Sequence, residues 1–327
     1  HRDLHSFPTR RSSDLPEMLV RGIRDRNQQA VARAISIIAD RRPGWESLLD
    51  AVGKEPRTAT FIGITGAPGS GKSTLADAIT SFYRAGNRRV GIVAVDPSSP
   101  FSGGAILGDR LRMQDHAGDP DVFIRSMASR GRLGGLAPAT AETAAILAMA
   151  GYDPVIIETV GVGQSEVDVM SVADVVLMVL VPGNGDSIQA LKAGVMEIGD
   201  LFVLNQADRP GSDRLLAEVN AALRLSGDED CLSRVFQTVA TEGRGVPEVA
   251  TGIDAFLGSL QSDAEKAASR RERQFLRLVN LAVHDMTDEA FEAYRKSGCA
   301  PTEGGTSWSE AVRVATGFLD WLRTRPN

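Results

Sequence analysis

Between an apolar run at 61–64 and a helical pattern at 74–79, the chain carries Gly66-Ala67-Pro68-Gly69-Ser70-Gly71-Lys72-Ser73. The pattern G-x-x-x-x-G-K-[ST] is short, but here both flanks agree with it: strand, loop, helix. A loop in that setting curls successive backbone N–H groups around a phosphate, and the following helix adds its positive dipole end. Lys72 then reaches toward the β- and γ-phosphates, and the Ser73 hydroxyl toward Mg²⁺. Residues Gly66 to Ser73, with Thr74 in the first helical turn, are the primary candidate binding residues, and the phosphate they imply is that of a nucleotide.

The rest of the chain is consistent with this anchor. From residue 61 to about residue 260, short β-rich runs alternate with helical patterns. The predicted strands are 61–65, 90–95, 155–158, 175–181, 201–205 and 235–239. Their continuous apolar character implies strands covered on both faces, and the strand–helix alternation implies parallel pairing. The predicted class is therefore α/β, a doubly wound, mainly parallel sheet that binds its ligand at the carboxyl ends of the strands.

Two helical regions flank the sheet. Leu19, Val20, Ile23, Val31, Ala34, Ile35 and Ile38 recur at helical spacing from Pro16 until Arg42-Pro43-Gly44 stops the pattern, and a short second helix is expected over 45–52. After Ser262 the chain is charged and helical, with Leu276, Val279, Val283 and Met286 able to share one face. That face either packs on the sheet domain or forms a dimer arm. The expected organisation is an N-terminal helical extension (16–56), a nucleotide-binding α/β domain (57–261) and a C-terminal helical arm (262–327). Residues 1–15 resemble translated sequencing-adapter read-through and carry no weight in the fold reading.

Composition excludes several classes. With 327 residues, a net charge of −6 and 24% charged residues, the chain has no basic excess that points to nucleic acid or to an anionic membrane surface. The longest apolar run, 175–181, is too short to span a bilayer. Cys231 and Cys299 lie far apart without a C-x-x-C pairing, which suits a reducing cytoplasm.

Further candidate residues fall at the ends of predicted strands. Asp96 ends the 90–95 strand and opens Asp96-Pro-Ser-Ser-Pro100, ahead of a glycine-rich loop that carries Asp109. Both carboxylates are candidates for Mg²⁺, directly or through water, with ordinary turn chemistry as the competing explanation. Strand 155–158 ends in Glu158-Thr-Val-Gly161-Val-Gly163-Gln164. Glu158 stands where nucleotide hydrolases usually place an Asp for the metal, and the Gly161 N–H is placed to sense a γ-phosphate and order the loop. Val162 occupies the position of the water-orienting Gln of small G proteins, which predicts slow intrinsic hydrolysis, with Gln164 or Asp109 as substitutes. Asn205-Gln206-Ala207-Asp208 is close to the Asn-Lys-x-Asp pattern that reads guanine. The Asp208 carboxylate accepts from N1–H and the exocyclic amine, donors that adenine lacks, although Gln206 replaces the usual Lys. Thr238-Val239-Ala240 follows the last strand, where G proteins place a backbone N–H that contacts the guanine O6; the tripeptide by itself carries no signal.

Together, the phosphate loop, Asp96-Pro-Ser-Ser-Pro100, the 124–135 stretch Ile-Arg-Ser-Met-Ala-Ser-Arg-Gly-Arg-Leu-Gly-Gly, the 158–165 loop and Pro182-Gly-Asn-Gly-Asp186 closely resemble the MeaB/ArgK family of P-loop GTPases. The resemblance covers roughly residues 17–260 and extends only loosely to the C-terminal part. It implies a GTP- and Mg²⁺-binding hydrolase that escorts an adenosylcobalamin-dependent acyl-CoA mutase, typically methylmalonyl-CoA mutase, as a homodimer. It also implies a third switch loop with Asp186 and Lys192 as coupling candidates. The Asp-x-His-x-x-Gly motif that ligates cobalamin in mutases is missing, since Gln114 stands two residues before His116, so the cofactor belongs to the partner. Competing readings are a P-loop ATPase or kinase of the older arginine/ornithine transport description, a metal-insertion GTPase, and a scaffold whose nucleotide is structural.

Overall fold

The structure is a computed structural model. It describes residues 15–56, 59–96, 116, 118–128, 139–159, 165–183, 199–225 and 234–262, with a few further positions between 268 and 318. The chain divides into two units, residues 1–270 and 271–327.

In the first unit, β1 (Phe61–Gly66), β2 (Val90–Asp96), β3 (Val122–Ala128), β4 (Val155–Glu158), β5 (Val175–Leu180), β6 (Leu201–Asn205) and β7 (Val235–Thr238) form one sheet in the order β3-β2-β4-β1-β5-β6-β7. All six pairings are parallel. The helices are α1 (Leu15–Arg24), α2 (Gln28–Ala39), α3 (Trp45–Gly53), α4 (Lys72–Ala85), α5 (Thr140–Met149), α6 (Ser165–Val172), α7 (Ser212–Leu225) and α8 (Val246–Ser262).

Alternation along the strands divides the core between the two faces of the sheet. On β5, Val176, Met178 and Leu180 join a cluster with residues of α1–α3, α5, α6 and α7, whereas Val175, Leu177 and Val179 join a second cluster with α4 and α8. A period of two therefore buries every residue of this strand, which is why it reads as an unbroken apolar run. At the amino ends of the strands, aspartates fix the register. Asp153 Oδ1 accepts from Thr60 N (2.9 Å), Asp174 Oδ2 from Phe61 N (2.8 Å) and Asp200 Oδ2 from Val176 N (2.9 Å).

Two elements differ from expectation. The helical pattern of 16–42 is broken into α1 and α2 at Asp25-Arg26-Asn27. Arg26 takes a left-handed φ of 61°, and the Asn27 side chain caps α2 by accepting from Ala30 N at 3.0 Å. The turn folds α2 back onto α1 so closely that a Cβ on Gly22 would lie 2.6 Å from Ala30 Cβ. The second difference is β3, an additional strand at the sheet edge formed by Val-Phe-Ile-Arg-Ser-Met-Ala. Its one-sided pairing lets Arg125 reach the Ser36 hydroxyl at 3.1 Å, and that mid-strand charge disguised it.

Among the described residues no helix is long and apolar enough to cross a membrane. In the second unit, Phe291, Tyr294 and Phe318 bring their rings together with centroids 5.2–6.1 Å apart. The face proposed for Leu276, Val279, Val283 and Met286 lies outside the described residues.

Candidate nucleotide-binding site

The phosphate loop leaves the centre of the sheet. β1 is flanked by β4 on one side and β5 on the other, while the chain after β1 crosses β4 to form β2. This is a point where strand order reverses, and it leaves a crevice at the carboxyl ends of the strands.

Local sequence forces the loop's shape. Gly66 has φ 141°, and a Cβ there would lie 2.3 Å from the Val179 carbonyl oxygen of β5. Gly71 has φ 84°, and a Cβ there would lie 2.4 Å from Asn205 Nδ2. Gly71 also serves as the N-cap of α4 without a side-chain cap, so it contributes no side-chain acceptor to the orphan N–H groups of the first turn. An anion is their natural partner. Behind that turn, Leu75, Ala76, Ile79 and Tyr83 are buried at helical spacing and anchor α4 to the sheet.

The loop's side chains are already organised. Lys72, 7% exposed, donates from Nζ to the carbonyls of Gly66 (2.9 Å) and Ala67 (3.1 Å), which folds its ammonium over the loop. Ser73 Oγ donates to Glu158 Oε1 at 2.5 Å. These two residues are 85 apart in sequence and meet because β4 lies beside β1, with Glu158 in register with Ile64. Thr159, which sequence reasoning did not single out, stitches the same two strand ends together. Its N–H donates to Ile64 O (3.1 Å) and its hydroxyl to Thr65 Oγ1 (3.0 Å).

The Asn205-to-Asp208 segment lies on the other side. Asn205 Nδ2 donates to Ser70 O at 3.0 Å, and its Oδ1 accepts from Thr238 Oγ1 (3.1 Å) and Ala240 N (3.2 Å). One buried amide thus ties the phosphate loop, β6 and the exit of β7 together. Gln206 has a left-handed φ of 57°, and its Nε2 lies 3.8 Å from the position a Gly71 Cβ would take. Ala207 N donates to Thr238 O (3.0 Å) and Val239 N to Arg244 O (3.0 Å), while Asp208 is exposed.

The candidate residues therefore fall into three groups. Gly66 to Thr74, Glu158, Asn205, Asp208, Thr238, Val239 and Ala240 all lie at or just beyond the carboxyl ends of β1, β4, β6 and β7. Asp96 ends β2 on the same edge by its backbone, two residues past Ala94, which pairs with Glu158. Asp109, Gly161, Gln164, Asp186 and Lys192 lie outside the described residues.

The donor set fits a hard cation. Ser73 Oγ and Glu158 Oε1 are oxygen donors held in contact beside the glycine-rich loop, a pairing that suits Mg²⁺, an ion that takes few protein ligands and completes its shell with phosphates and water. Among the described residues no group of three or more His, Cys, Asp or Glu side chains is placed to hold a metal by itself.

A parallel doubly wound sheet whose central strand runs through this loop into a helix defines a P-loop nucleotide-binding protein. Comparison with known sequences carries this further: residues 31–295 match the family described as methylmalonyl Co-A mutase-associated GTPase MeaB, and the chain belongs to that family. A putative GTPase of Pyrococcus abyssi is 43% identical over 259 residues, spanning 78% of this chain and 80% of its own. GTPase ArgK of Escherichia coli is 33% identical over 302 residues, 88% and 91% of the two chains. The mitochondrial methylmalonic aciduria type A homolog of the mouse is 35% identical over 69% of this chain and 56% of its own. Among solved structures, an LAO/AO transport system kinase superposes with a TM-score of 0.66 at 23% identity, covering 95% of this chain and 98% of that one, a likeness of fold.

Proposed function

We propose that this protein is a Mg²⁺-dependent GTPase (GTP plus water to GDP and phosphate) that serves as a switch and chaperone for an adenosylcobalamin-dependent acyl-CoA mutase, with methylmalonyl-CoA mutase as the first candidate. The observation that carries the nucleotide part is the contact between Ser73 and Glu158 at the mouth of the phosphate loop. The mutase part rests on family membership.

In this reading the α4 N–H groups and the loop backbone hold the β-phosphate. Lys72 leaves the Gly66 and Ala67 carbonyls and turns its ammonium onto the β- and γ-phosphates. Ser73 and Glu158, joined by Asp96 and Asp109 directly or through water, would hold Mg²⁺, which would supply charge neutralisation for the phosphates. Asp208 reads the guanine edge, and the Thr238–Ala240 turn lines the base. The Gly161 N–H senses the γ-phosphate, and no Gln follows it to orient water, so hydrolysis is slow and raised by the partner. GTP occupancy then times the handling of the cofactor, which stays on the mutase. Dimerisation through the C-terminal arm and a cytoplasmic location complete the proposal, the latter supported by two cysteines without disulfide spacing.

The test compares GTP and ATP by calorimetric titration with Mg²⁺, then turnover with and without the purified mutase. GTP is expected to bind at least tenfold tighter than ATP, and Lys72→Ala to abolish tight binding. Preference for ATP would favour the kinase or ATPase reading. Undetectable turnover even with the mutase would favour a structural nucleotide.

A further inference from the structure

The two strands at the centre of the site are apolar until the residues that reach the crevice. β1 reads Phe61-Ile-Gly-Ile-Thr-Gly66, and β4 reads Val155-Ile-Ile-Glu158 with Thr159 after it. Thr65, Glu158 and Thr159 are the only polar side chains in these two runs, and they are 0%, 5% and 2% exposed. Register sets them side by side. Ile64 pairs with Glu158, so Thr159 comes next to Thr65, one residue beyond the last pair.

Alternation sends these side chains to opposite faces of the sheet. Glu158 follows Ile156, which packs in the cluster of α4, and on that face it accepts from Ser73 Oγ. Thr159 follows Ile157, which packs in the opposite cluster. Thr65 follows Gly63, where a Cβ would lie 2.6 Å from Val169 Cγ2 of α6. On this second face the Thr159 hydroxyl donates to Thr65 Oγ1 at 3.0 Å, with Ile64 O 3.4 Å away, and the Thr159 N–H donates to Ile64 O at 3.1 Å. The end of β4 is thus held at the mouth of the phosphate loop from both faces, by a carboxylate on one and a hydroxyl on the other.

Stability alone does not call for a buried pair of hydroxyls. A neutral hydrogen bond adds little net stability, and Val fills the volume of Thr with an apolar group. What the hydroxyls add is direction. An apolar pair tolerates sliding of one strand end along the other, whereas an O–H···O contact weakens outside a narrow range of distance and angle. Thr159 adjoins Glu158 in the chain, and Thr65 adjoins Gly66, whose carbonyl accepts from Lys72. A slip between the two strand ends therefore moves the carboxylate relative to the loop and to Ser73.

We infer that Thr159 is a positioning residue for Mg²⁺: its hydroxyl contact with Thr65 fixes the Glu158 carboxylate beside Ser73, so that the two oxygens meet the ion as a preorganised pair. The inference rests on the Mg²⁺-dependent GTPase reading above. Its role separates from that of the phosphate loop. The loop backbone and Lys72 attract phosphate without the ion, whereas the Glu158 carboxylate, an anion beside other anions, favours binding only through the ion.

The experiment uses the full chain in three forms: unaltered, Thr159→Val and Thr159→Ser. Val keeps the branched shape and removes the hydroxyl, and Ser keeps the hydroxyl. Circular dichroism melts confirm folding. Each form is titrated calorimetrically with a GTP analogue carrying an imido group between the β- and γ-phosphates, first in EDTA and then over a series of Mg²⁺ concentrations. For Thr159→Val the affinity in EDTA should stay within about twofold, while the Mg²⁺ concentration giving half of the affinity gain should rise about fivefold, the size of one hydrogen bond. Ser should return that midpoint to within about twofold of the unaltered protein. Thr65→Val should shift it as Thr159→Val does, and the double variant no further, because both remove one contact. An unchanged Mg²⁺ midpoint in a folded Thr159→Val protein would overturn the inference, and so would a loss of affinity in EDTA as large as that with Mg²⁺. Failure of Ser to restore the midpoint, or additive shifts in the double variant, would also overturn it. If Thr159→Val unfolds the chain, Thr65→Val and Thr159→Ala are read by the same split. Absence of nucleotide binding, or of any Mg²⁺ effect on it, in the unaltered protein would instead defeat the reading above, so the two failures are separable.

Discussion

Single side chains at the crevice do more than one job. Asn205 is the clearest case: its Nδ2 donates to Ser70 O and its Oδ1 accepts from Thr238 Oγ1 and Ala240 N, so one amide joins three segments. Asp208 is exposed, and the proposed function makes it the residue that reads the base. Asp208→Asn is therefore expected to leave the fold intact and reverse base preference. An Asn amide can accept from N1–H but opposes the guanine exocyclic amine with a donor, so GTP affinity should fall by roughly 1–3 kcal/mol, the cost of unpaired polar groups. Xanthosine triphosphate should bind better than GTP. Competition titrations of the two nucleotides check this, and retained GTP selectivity would place base reading elsewhere. At this scale the sequence was largely legible, because each motif is a short run whose chemistry is local. Thr159 was not, since its partner Thr65 is local only in space.

At the scale of elements, the N-terminal helices show where periodicity stops being informative. The apolar positions of 16–42 keep helical spacing across the break, so the pattern suggests one helix. The break is set by Asn27, whose side chain meets Ala30 N and starts α2 anew. Asn27→Ala removes this cap and should cost about 1 kcal/mol, read as a lower midpoint in urea with an unchanged slope. Nucleotide affinity should be unaffected, because α1–α3 share a core with the face opposite α4. A full-size loss of GTP binding in that variant would mean the helices act on the site directly. The edge strand β3 escaped for the converse reason: half-buried Phe123, Ile124 and Arg125 give neither clean alternation nor a continuous apolar run.

For the whole molecule, two side chains on or against α4 are shifted in opposite senses, Asp119 downward and Tyr83 upward. The Asp119 carboxyl is held below its ordinary value, first by the hydrogen bond from Arg84 and then by the Asp121 N–H. A lowered value means stability present above the unfolded pKa of 3.8 and lost as pH falls through the folded one. Tyr83 is pushed up to about 12, first by burial and then by the Asp254 carboxylate. Its contribution is complete below 10.0 and lost as pH rises through about 12. Denaturation midpoints against pH should thus show a plateau with an alkaline decline above pH 10 and an acid decline below pH 4. Tyr83→Phe should flatten the alkaline limb, by on the order of 2 kcal/mol, and Asp119→Asn the acid limb. An unchanged alkaline limb in Tyr83→Phe would mean that another group controls it.

The sequence by itself determined the local grammar of this protein: a strand, a phosphate loop and a helix at 61–79, apolar strands buried on both faces, and acidic residues at strand ends. These follow from backbone geometry and from the period of burial, which are written into neighbouring residues. Lateral order is not. That β4 rather than β2 lies beside β1 is decided by how the crossover helices pack on the two faces, and only that order brings Glu158 to Ser73. The same holds for Asn205 under the loop and for His116 against α4, where partners 135 and 35 residues apart meet. Such contacts depend on residues of the first unit closing around one sheet, which no short window of sequence can specify.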